Sequence, residues 1–506
     1  MSVIRSTFVV TAFNLFGMAL SFLSNVQIAA TFGASAEMDV YVAVAAAPLF
    51  LVGMLASAIS FTMIPVFTEY RSKGTEEHGA LLSDLINLTL ALTGVMTAIA
   101  LFHARPLIAF LTPGFSPAQW LVGENLLRWL FPTVIPLALN ELLSNVFYLD
   151  NRFLVPSLNR LVQPTCVCLS VWTLHQSHGT TSIAVATLLG SMLQLAVLAV
   201  GIVCTEGLRF KYRLGLPAVW TGVLRLLRLM APLLAGMLIY RSLPLFDRNM
   251  LSLLPVGSVS VLGYAERLFQ ILVGVLVGGI SIAAFANLSK DYCEKDYDAF
   301  KRKVERLLLA LTVAAIPVIA FLPAYSRQFV GLVFQYGTFT SEVTERVAAV
   351  LPVLALTLLP AVTGTILGQS FYVAQRTDLA SGFGVVEMIV YVCVAVPLTK
   401  AFGLSGLIWA KVVYWYFSLA LSLTVLSHLL AWRVWPVLGS ALKAIMLGVL
   451  ACALSFGLAY AGVHVVAAAA IVGCCYLLAA RRLEVTPDLG ALERFLWQKL
   501  GASFEV

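Results

Sequence analysis

Charged side chains interrupt otherwise apolar runs at a few places in this chain. They are Asp39, then Glu124, Arg128 and Glu141, then Arg241, Asp247 and Arg248, then the motif Tyr264-Ala265-Glu266-Arg267, and finally Glu387 and Lys411. A charge near the centre of a bilayer costs about 2.5–3.5 kcal/mol on the insertion scale, so it normally faces a cavity or a partner. Ion pairing is the bland use: Glu124 with Arg128 at i,i+4, and Asp247 or Glu266 with a neighbouring arginine. Arg241 and Arg248 are seven apart and share one helical face. Arg241 and Arg267 stand out because they lie on the two segments that open the second of two internal repeats. In duplicated membrane bundles that is where substrate is held.

Enzyme chemistry is poorly supplied. There is no G-x-x-x-x-G-K-[ST] loop to cradle nucleotide phosphates. Asp296-Tyr297-Asp298 is a lone D-x-D in a mixed-charge stretch, and reads as the solvated start of a helix. His175 and His178 have a spacing that could put two imidazoles on a metal, but no third ligand is near them in sequence. No metal, cofactor or catalytic group is expected.

The elements that must position the charges are membrane helices. Hydrophobic residues make up 60% and charged residues 11% of 506, and mean hydropathy is +0.94. A soluble chain carries about 25% charged residues. We count fourteen segments of the roughly 20 apolar residues that a helical span needs. The first begins at Val3; its apolar run is too long for a cleaved leader, and its basic start carries only Arg5. Seven of the eight cysteines fall inside these segments, and no disulfide framework is indicated. With the N-terminus inside, the basic residues gather in the cytoplasmic loops. The outer loops hold only Arg105, Arg327, Arg346 and Lys400. That asymmetry places both termini in the cytoplasm. It also accounts for the net charge of +7 without nucleic-acid binding, through topology and anionic lipid.

The segments are duplicated. Phe147-Tyr148-Leu149-Asp150-Asn151-Arg152 is answered by Phe371-Tyr372-Val373-Ala374-Gln375-Arg376, Pro136 by Pro360, and Phe115 by Phe339, all at one fixed offset. An even number of spans separates the copies, so the repeats are parallel, related by an axis along the membrane normal. Such duplication is typical of alternating-access transporters. Pro48, Pro132, Pro136, Pro232, Pro244, Pro352 and Pro360 punctuate the spans and suit helices that bend.

Several motifs then resemble one family. Thr31-Phe32-Gly33-Ala34, Asp39, Ile64-Pro65 and Glu69-Tyr70 match the opening signature of the MurJ/MviN lipid II flippase family. So do Pro113-Gly114-Phe115, Asn151-Arg152-Phe153 with Pro156, and Gly257-Ser258-Val259-Ser260 running into Tyr264-Ala265-Glu266-Arg267-Leu268. Phe334, Gly337, Phe339 and Phe371-Tyr372 continue the match. The resemblance implies an all-α integral membrane protein of the multidrug/oligosaccharidyl-lipid/polysaccharide exporter superfamily. It implies two six-helix lobes in a V, with two extra C-terminal helices forming a groove for a lipid tail. The implied substrate is an undecaprenyl-diphosphate-linked saccharide, moved from the inner to the outer leaflet of the bacterial inner membrane. The family's cavity arginines of spans 1 and 2 would fall at Met18, Ser24 and Val52, and two acidic positions at Asn25 and Ser57. Asp39, Asp247 and Arg267 are kept, and Arg241 stands where the family usually has a neutral polar residue.

On that resemblance, Arg241 and Arg267 are expected to hold the diphosphate. Asp39, Asp247 and Glu266 would orient those arginines or couple to ions. Asn25, Ser24 and Gln27 would meet sugar hydroxyls. The expected division is an N-lobe over 1–206, an amphipathic cytoplasmic linker over 207–228, a C-lobe over 229–430, the last two spans over 431–480 and a cytoplasmic tail over 481–506. Expected partners are the lipid-linked saccharide and membrane lipids, with envelope-polysaccharide polymerases and glycosyltransferases beside a monomer. The rivals are a cation-coupled drug exporter of the same superfamily, a membrane glycosyl- or acyltransferase, and a transport-inactive scaffold.

Overall fold

The computed structural model describes residues 3–73, 75–150, 152–205, 212–214, 220–374, 376–430, 432, 435–483 and 485. Asn151 and Gln375 of the repeat motif, linker residues 207–211 and 215–219, and the tail from 486, with the weak helix expected at Leu489–Leu500, lie outside them.

Among the described residues there is helix and no strand. Backbone groups in hydrocarbon must be satisfied within the segment, and a helix does that unaided. The first elements are α1 (Val3–Phe32), α2 (Ala36–Lys73), α3 (Thr75–Phe102), α4 (Ala104–Leu111), α5 (Pro117–Leu130), α6 (Val134–Leu149), α7 (Leu154–Asn159), α8 (Val162–His178) and α9 (Thr181–Cys204). Then come α10 (Trp220–Arg241), α11 (Leu243–Ser252), α12 (Ser258–Cys293), α13 (Tyr297–Phe334), α14 (Ser341–Ala355), α15 (Leu358–Val373), α16 (Thr377–Leu429), α17 (Trp435–Tyr460) and α18 (Val465–Arg482).

Ten of the described helical stretches are long and apolar enough to cross a membrane, and eleven if α14 and α15, bent by 44°, count as one span. The sequence count of fourteen differs for identifiable reasons. The expected span Phe153–Leu174 is built in two pieces, α7 and α8, and Leu229–Leu253 is broken at Ser242, ahead of Pro244. The 53 residues of α16 would run about 80 Å if straight, against a hydrocarbon core of about 30 Å. At Gly403 the backbone leaves the helix (φ 59°, ψ −136°). So α16 is two limbs, 377–402 and 404–429.

Many large apolar side chains stay exposed: Leu15 and Phe16 on α1, Phe110 on α4, Trp172 on α8, and Leu442, Met446, Val449 and Leu450 on α17. Contiguous exposure of that kind is the lipid-facing surface of a membrane protein.

Two compact units divide the chain. The first holds the described residues up to Val261, with Tyr336–Thr340. There α2 packs against α3, α5, α6, α10 and α11, and α8 pairs with α9. Its core joins Ile59, Met63 and Phe67 to Leu142, Val146, Phe147, Leu226 and Met230. The second unit holds Leu262–Gln335 and the chain from Ser341. There α13 packs on α14, α15, α17 and α18. Val313, Ile316 and Ala320 meet Ala444, Leu447, Ala451, Val472 and Tyr476.

The two units repeat local structure at the offset seen in the sequence. The shift that carries Phe147 onto Phe371 also carries both ends of α6 onto those of α15, and the first residue of α5 onto that of α14. Thr133 Oγ1 donates to Leu130 O at 2.5 Å, and Thr357 Oγ1 to Leu354 O at 2.6 Å. Both helix ends close alike: Arg152 N donates to Phe147 O at 2.9 Å and Arg376 N to Phe371 O at 3.0 Å. The Phe-Tyr pairs seen in the sequence therefore sit at equivalent helix ends.

Candidate functional site

In the first unit a polar stripe runs along α2. Gly53, Ser57 and Ser60 are spaced i, i+4, i+7 and so share one face. Ser57 Oγ donates back to Gly53 O at 2.9 Å. Arg241, at the C-terminal end of α10 where the helix dipole favours a cation, donates from Nη2 to Ser57 Oγ at 2.8 Å. Its Nη1 lies over Gly53, and a Cβ there would stand 2.8 Å from it. Arg241 is exposed, and its one hydrogen bond among the described residues goes to a neutral hydroxyl. Farther along, Ser60 Oγ donates to Glu141 Oε1 at 2.8 Å, and Asn145 Nδ2 donates to Ser60 Oγ at 3.1 Å and to Glu141 O at 2.8 Å. The stripe thus meets a guanidinium from α10 and a carboxylate from α6.

Asp39 lies in the first turn of α2 and is 2% exposed. Its carboxylate accepts from Gly257 N, from Ser260 N at 2.7 Å and from Ser260 Oγ. The first N–H groups of a helix have no partner inside it, and Asp39 supplies one to α12, with the favourable dipole interaction of an anion at an N-terminus. Gly257 takes φ 90°, which lets the chain turn there. The segment Tyr336–Thr340 returns to the same unit: Thr338 N donates to Ala30 O at 2.7 Å and Thr338 Oγ1 to the same oxygen at 3.0 Å. Gly114 N donates to Ser252 Oγ at 3.2 Å. The backbone N–H groups of Gly257 and Gly114 are thus held by the side chains of Asp39 and Ser252, and that of Thr338, beside Gly337, by the Ala30 carbonyl.

The remaining candidates of this unit are tied to their own or adjacent helices. Ser24 Oγ donates to Ser21 O at 2.8 Å, and Asn25 Nδ2 to the same carbonyl at 2.9 Å. Gln27 Nε2 donates to Cys168 O at 3.1 Å. Asp247 and Arg248 are buried on α11. Glu124 and Arg128 form the expected i,i+4 pair at 2.7 Å, with the arginine well exposed.

In the second unit, Arg267 on α12 lies over the buried Tyr264 ring, its Cζ 5.5 Å from the centroid, within cation–π range. Its Nη1 is buried with no hydrogen-bond partner among the described residues. Glu266 Oε1 accepts from Lys411 Nζ at 2.6 Å, both side chains largely shielded. Glu266 thus pairs with a lysine brought in from the far limb of α16. Arg241 belongs to the first unit and Arg267 to the second.

The weaker sequence motifs have local explanations. Asp296 Oδ1 caps α13 by accepting from Ala299 N at 2.9 Å, and Asp298 lies 3.7 Å from Lys301. His175 Nδ1 bonds Val171 O, and His178 Nδ1 bonds Ser177 Oγ. Among the described residues no three His, Cys, Asp or Glu side chains cluster to hold a metal. Sequence reasoning missed Gly53, Ser60 and Asn145. The small-polar i, i+4, i+7 spacing on α2 was the available signal.

The family model described as lipid II flippase MurJ matches residues 28–480. This chain belongs to the lipid II flippase MurJ family. Relatives in the MurJ family include a probable lipid II flippase MurJ of Vibrio cholerae, 24% identical over 471 residues and 88% of each chain. Another, from Buchnera aphidicola, is 25% identical over 393 residues and 75% of each chain. A lipid II flippase MurJ of Burkholderia cenocepacia is 24% identical over 401 residues and 76% of each chain. Among solved structures, a lipid II flippase MurJ in an inward closed conformation superposes with a TM-score of 0.79 at 19% identity, over 94% of this chain and 99% of that one. An inward-facing multidrug resistance MATE family transporter of the MOP superfamily gives 0.66 at 15% identity, over 81% and 95%. At these identities the superpositions show a shared fold. The MurJ-family chain is a multi-pass protein of the bacterial inner membrane.

Proposed function

We infer that this chain is a lipid II flippase, a transporter and not an enzyme, that carries a polyprenyl-diphosphate-linked saccharide from the inner to the outer leaflet. The family match over residues 28–480 carries that reading. Fourteen crossings with both termini in the cytoplasm follow from the basic-residue asymmetry. The division proposed from the sequence is an N-lobe, a linker, a C-lobe and two tail-groove helices. Arg241 and Arg267 are the two proposed diphosphate contacts. Both suit that role because each presents guanidinium nitrogen to something other than a carboxylate: a serine hydroxyl and glycine backbone at Arg241, an aromatic face at Arg267.

This member is divergent at Met18, Ser24 and Val52, where neutral residues replace the family's cavity arginines. In their stead Arg241 reaches the Ser57 position from α10. We assign the neutral Ser24, Asn25 and Gln27 to the saccharide side, and Asp39, Asp247 and Glu266 to holding the helices that carry the arginines. The drug-exporter, transferase and inactive-scaffold readings are not favoured. A monomer working beside envelope-polysaccharide polymerases and glycosyltransferases completes the proposal. The test is complementation of a strain depleted of its own lipid II flippase. Growth with normal peptidoglycan supports the reading. Lysis despite normal membrane accumulation of the chain overturns it.

A further inference from the structure

Glu387 is a buried carboxylate that the diphosphate-binding arrangement does not use. It lies on the first limb of α16, ten residues from Thr377 and fifteen from Phe402. At 1.5 Å per residue that is about 15 Å and 22 Å from the limb ends, so the group sits deep in the span. It is 6% exposed. Its Oε1 accepts from Ser418 Oγ at 2.6 Å, and the Tyr414 hydroxyl hydrogen-bonds it as well. Tyr391, one turn along from Glu387, packs edge-on against Tyr414 with centroids 5.4 Å apart. The two limbs are therefore zipped in antiparallel register, 387 with 418 and 391 with 414. The register closes on the turn at Gly403.

The company of this carboxylate is neutral. Among the described residues no cation pairs with Glu387. The nearest cation along the facing limb, Lys411, is held by Glu266. On α14, which packs against α16, the charged residues are Glu342, Glu345 and Arg346 near its N-terminal end, and Glu345 pairs with Arg327 at 2.9 Å. On α15, which also packs there, the one titratable residue is Tyr372, at its C-terminal end. Thus, among the described residues, the hydrogen-bond partners of Glu387 are the Ser418 and Tyr414 hydroxyls. A charge buried among neutral hydroxyls is costly, and protonation removes it.

The repeat sharpens the point. At the repeat offset the counterparts of Glu387, Tyr414 and Ser418 are Gln163, Gly190 and Gln194 of the first unit. The same helical hairpin is built with an amide in one copy and a carboxylate in the other. Packing does not require the acid.

We propose that Glu387, with Ser418 and Tyr414, is a reversible proton-binding site that couples transport by this flippase to protons. Binding converts the carboxylate and one proton to the neutral acid, with Ser418 and Tyr414 as its hydrogen-bond partners in both forms. No other bond is made or broken. The coupling rests on the flippase reading; the site itself does not.

The test is an infrared pH titration of the purified full-length chain in lipid. It is combined with pH-dependent complementation. The wild type should show a carboxylic-acid carbonyl band that disappears on deprotonation. Glu387→Gln should lose that band completely, and its transport should lose its pH dependence. Ser418→Ala should keep the band and move its midpoint. Glu387→Gln copies the residue of the first unit, so it is expected to fold, and accumulation in membranes checks this. A titrating band unchanged in Glu387→Gln, no titrating band in the wild type, or a variant with the wild-type pH profile would each overturn the proton site. A chain that fails to complement while its Glu387 band still titrates sinks the flippase reading and keeps the site.

Discussion

The hairpin of α8 and α9 in the first unit and the two limbs of α16 in the second are one design used twice. Gly179 turns the first at φ 51°, ψ −138°, and Gly403 turns the second at φ 59°, ψ −136°. The shift that relates Phe147 to Phe371 relates these two glycines as well. Between the limbs the chemistry differs. In the first unit Gly190 brings the helices close: a Cβ there would stand 3.2 Å from Gln163 Cα. Gln194 Nε2 bonds Asn159 O at 3.0 Å, and Asn140 reaches Ser191 O and Gln194. In the second unit Tyr414 fills the glycine position and Glu387 meets Ser418. The backbone plan has been kept while one copy became amide-lined and the other acid-lined. Duplication fixes geometry through turns and helix caps, and leaves the interior polar residues free to specialise.

The cationic contacts are also unlike, and they give the largest expected effect. Arg241 rests on Ser57 and Gly53, whereas Arg267 rests on Tyr264. Arg241→Ala and Arg267→Ala should each abolish complementation while the protein still accumulates. Losing a charge-assisted contact costs about 1.5–3 kcal/mol, roughly 10-fold or more in rate. Lys in either place should recover little, because the planar fork is lost. Normal transport by the double Ala variant would remove both residues from the site. Gly53→Ala tests Arg241 alone: the three atoms nearest its added methyl all belong to Arg241. Transport should fall by roughly 5- to 30-fold, about 1–2 kcal/mol for a displaced hydrogen bond to a charged group, with thermal stability nearly unchanged.

Much of this was legible in the sequence. The repeat could be read because Phe147-Tyr148 and Phe371-Tyr372, followed by Arg152 and Arg376, recur at one fixed offset. The all-helical membrane class followed from composition. Faces and breaks were harder. When nearly every residue of a span is apolar, no periodic contrast tells which side is buried, so the break of α10 and α11 at Ser242 was read as one span. The partners Lys411 of Glu266 and Gly257 of Asp39 lie 145 and 218 residues away. Only tertiary packing brings them together. The stripe Gly53-Ser57-Ser60 was visible as spacing, but its meaning depends on Arg241 arriving from α10.

The hairpin comparison can be broken at its turns. Gly179→Ala and Gly403→Ala place a Cβ where φ is positive and the backbone region is almost closed to other residues, at a cost of about 1–3 kcal/mol each. At Gly179 the added Cβ would come within 2.9 Å of Glu37 Oε2, a flexible carboxylate that can move aside. The two losses should therefore be similar. Thermal unfolding of the purified variants in one detergent measures them. A large loss at one site and none at the other would mean that the turns carry different loads and that the shared dihedral angles are a local coincidence.

The smallest effect tests the finest match. Thr133 and Thr357 sit at the break before α6 and α15, where Pro132 in one copy and the Leu356 turn in the other interrupt the helical ladder. Each hydroxyl donates to the carbonyl three residues back, Leu130 O and Leu354 O. Both threonines are buried, at 2% and 0% exposure, so water does not replace the bond when the hydroxyl is removed. Valine keeps the shape and deletes the donor. Thr133→Val and Thr357→Val should each lose about 1 kcal/mol, the net value of one such bond. Because the two sites lie in separate units, the double variant should lose the sum to within about 0.5 kcal/mol. Unequal single losses would show that only one copy still depends on the hydroxyl at its bend. A double loss far from additive would show instead that the two bends report on one shared structural transition.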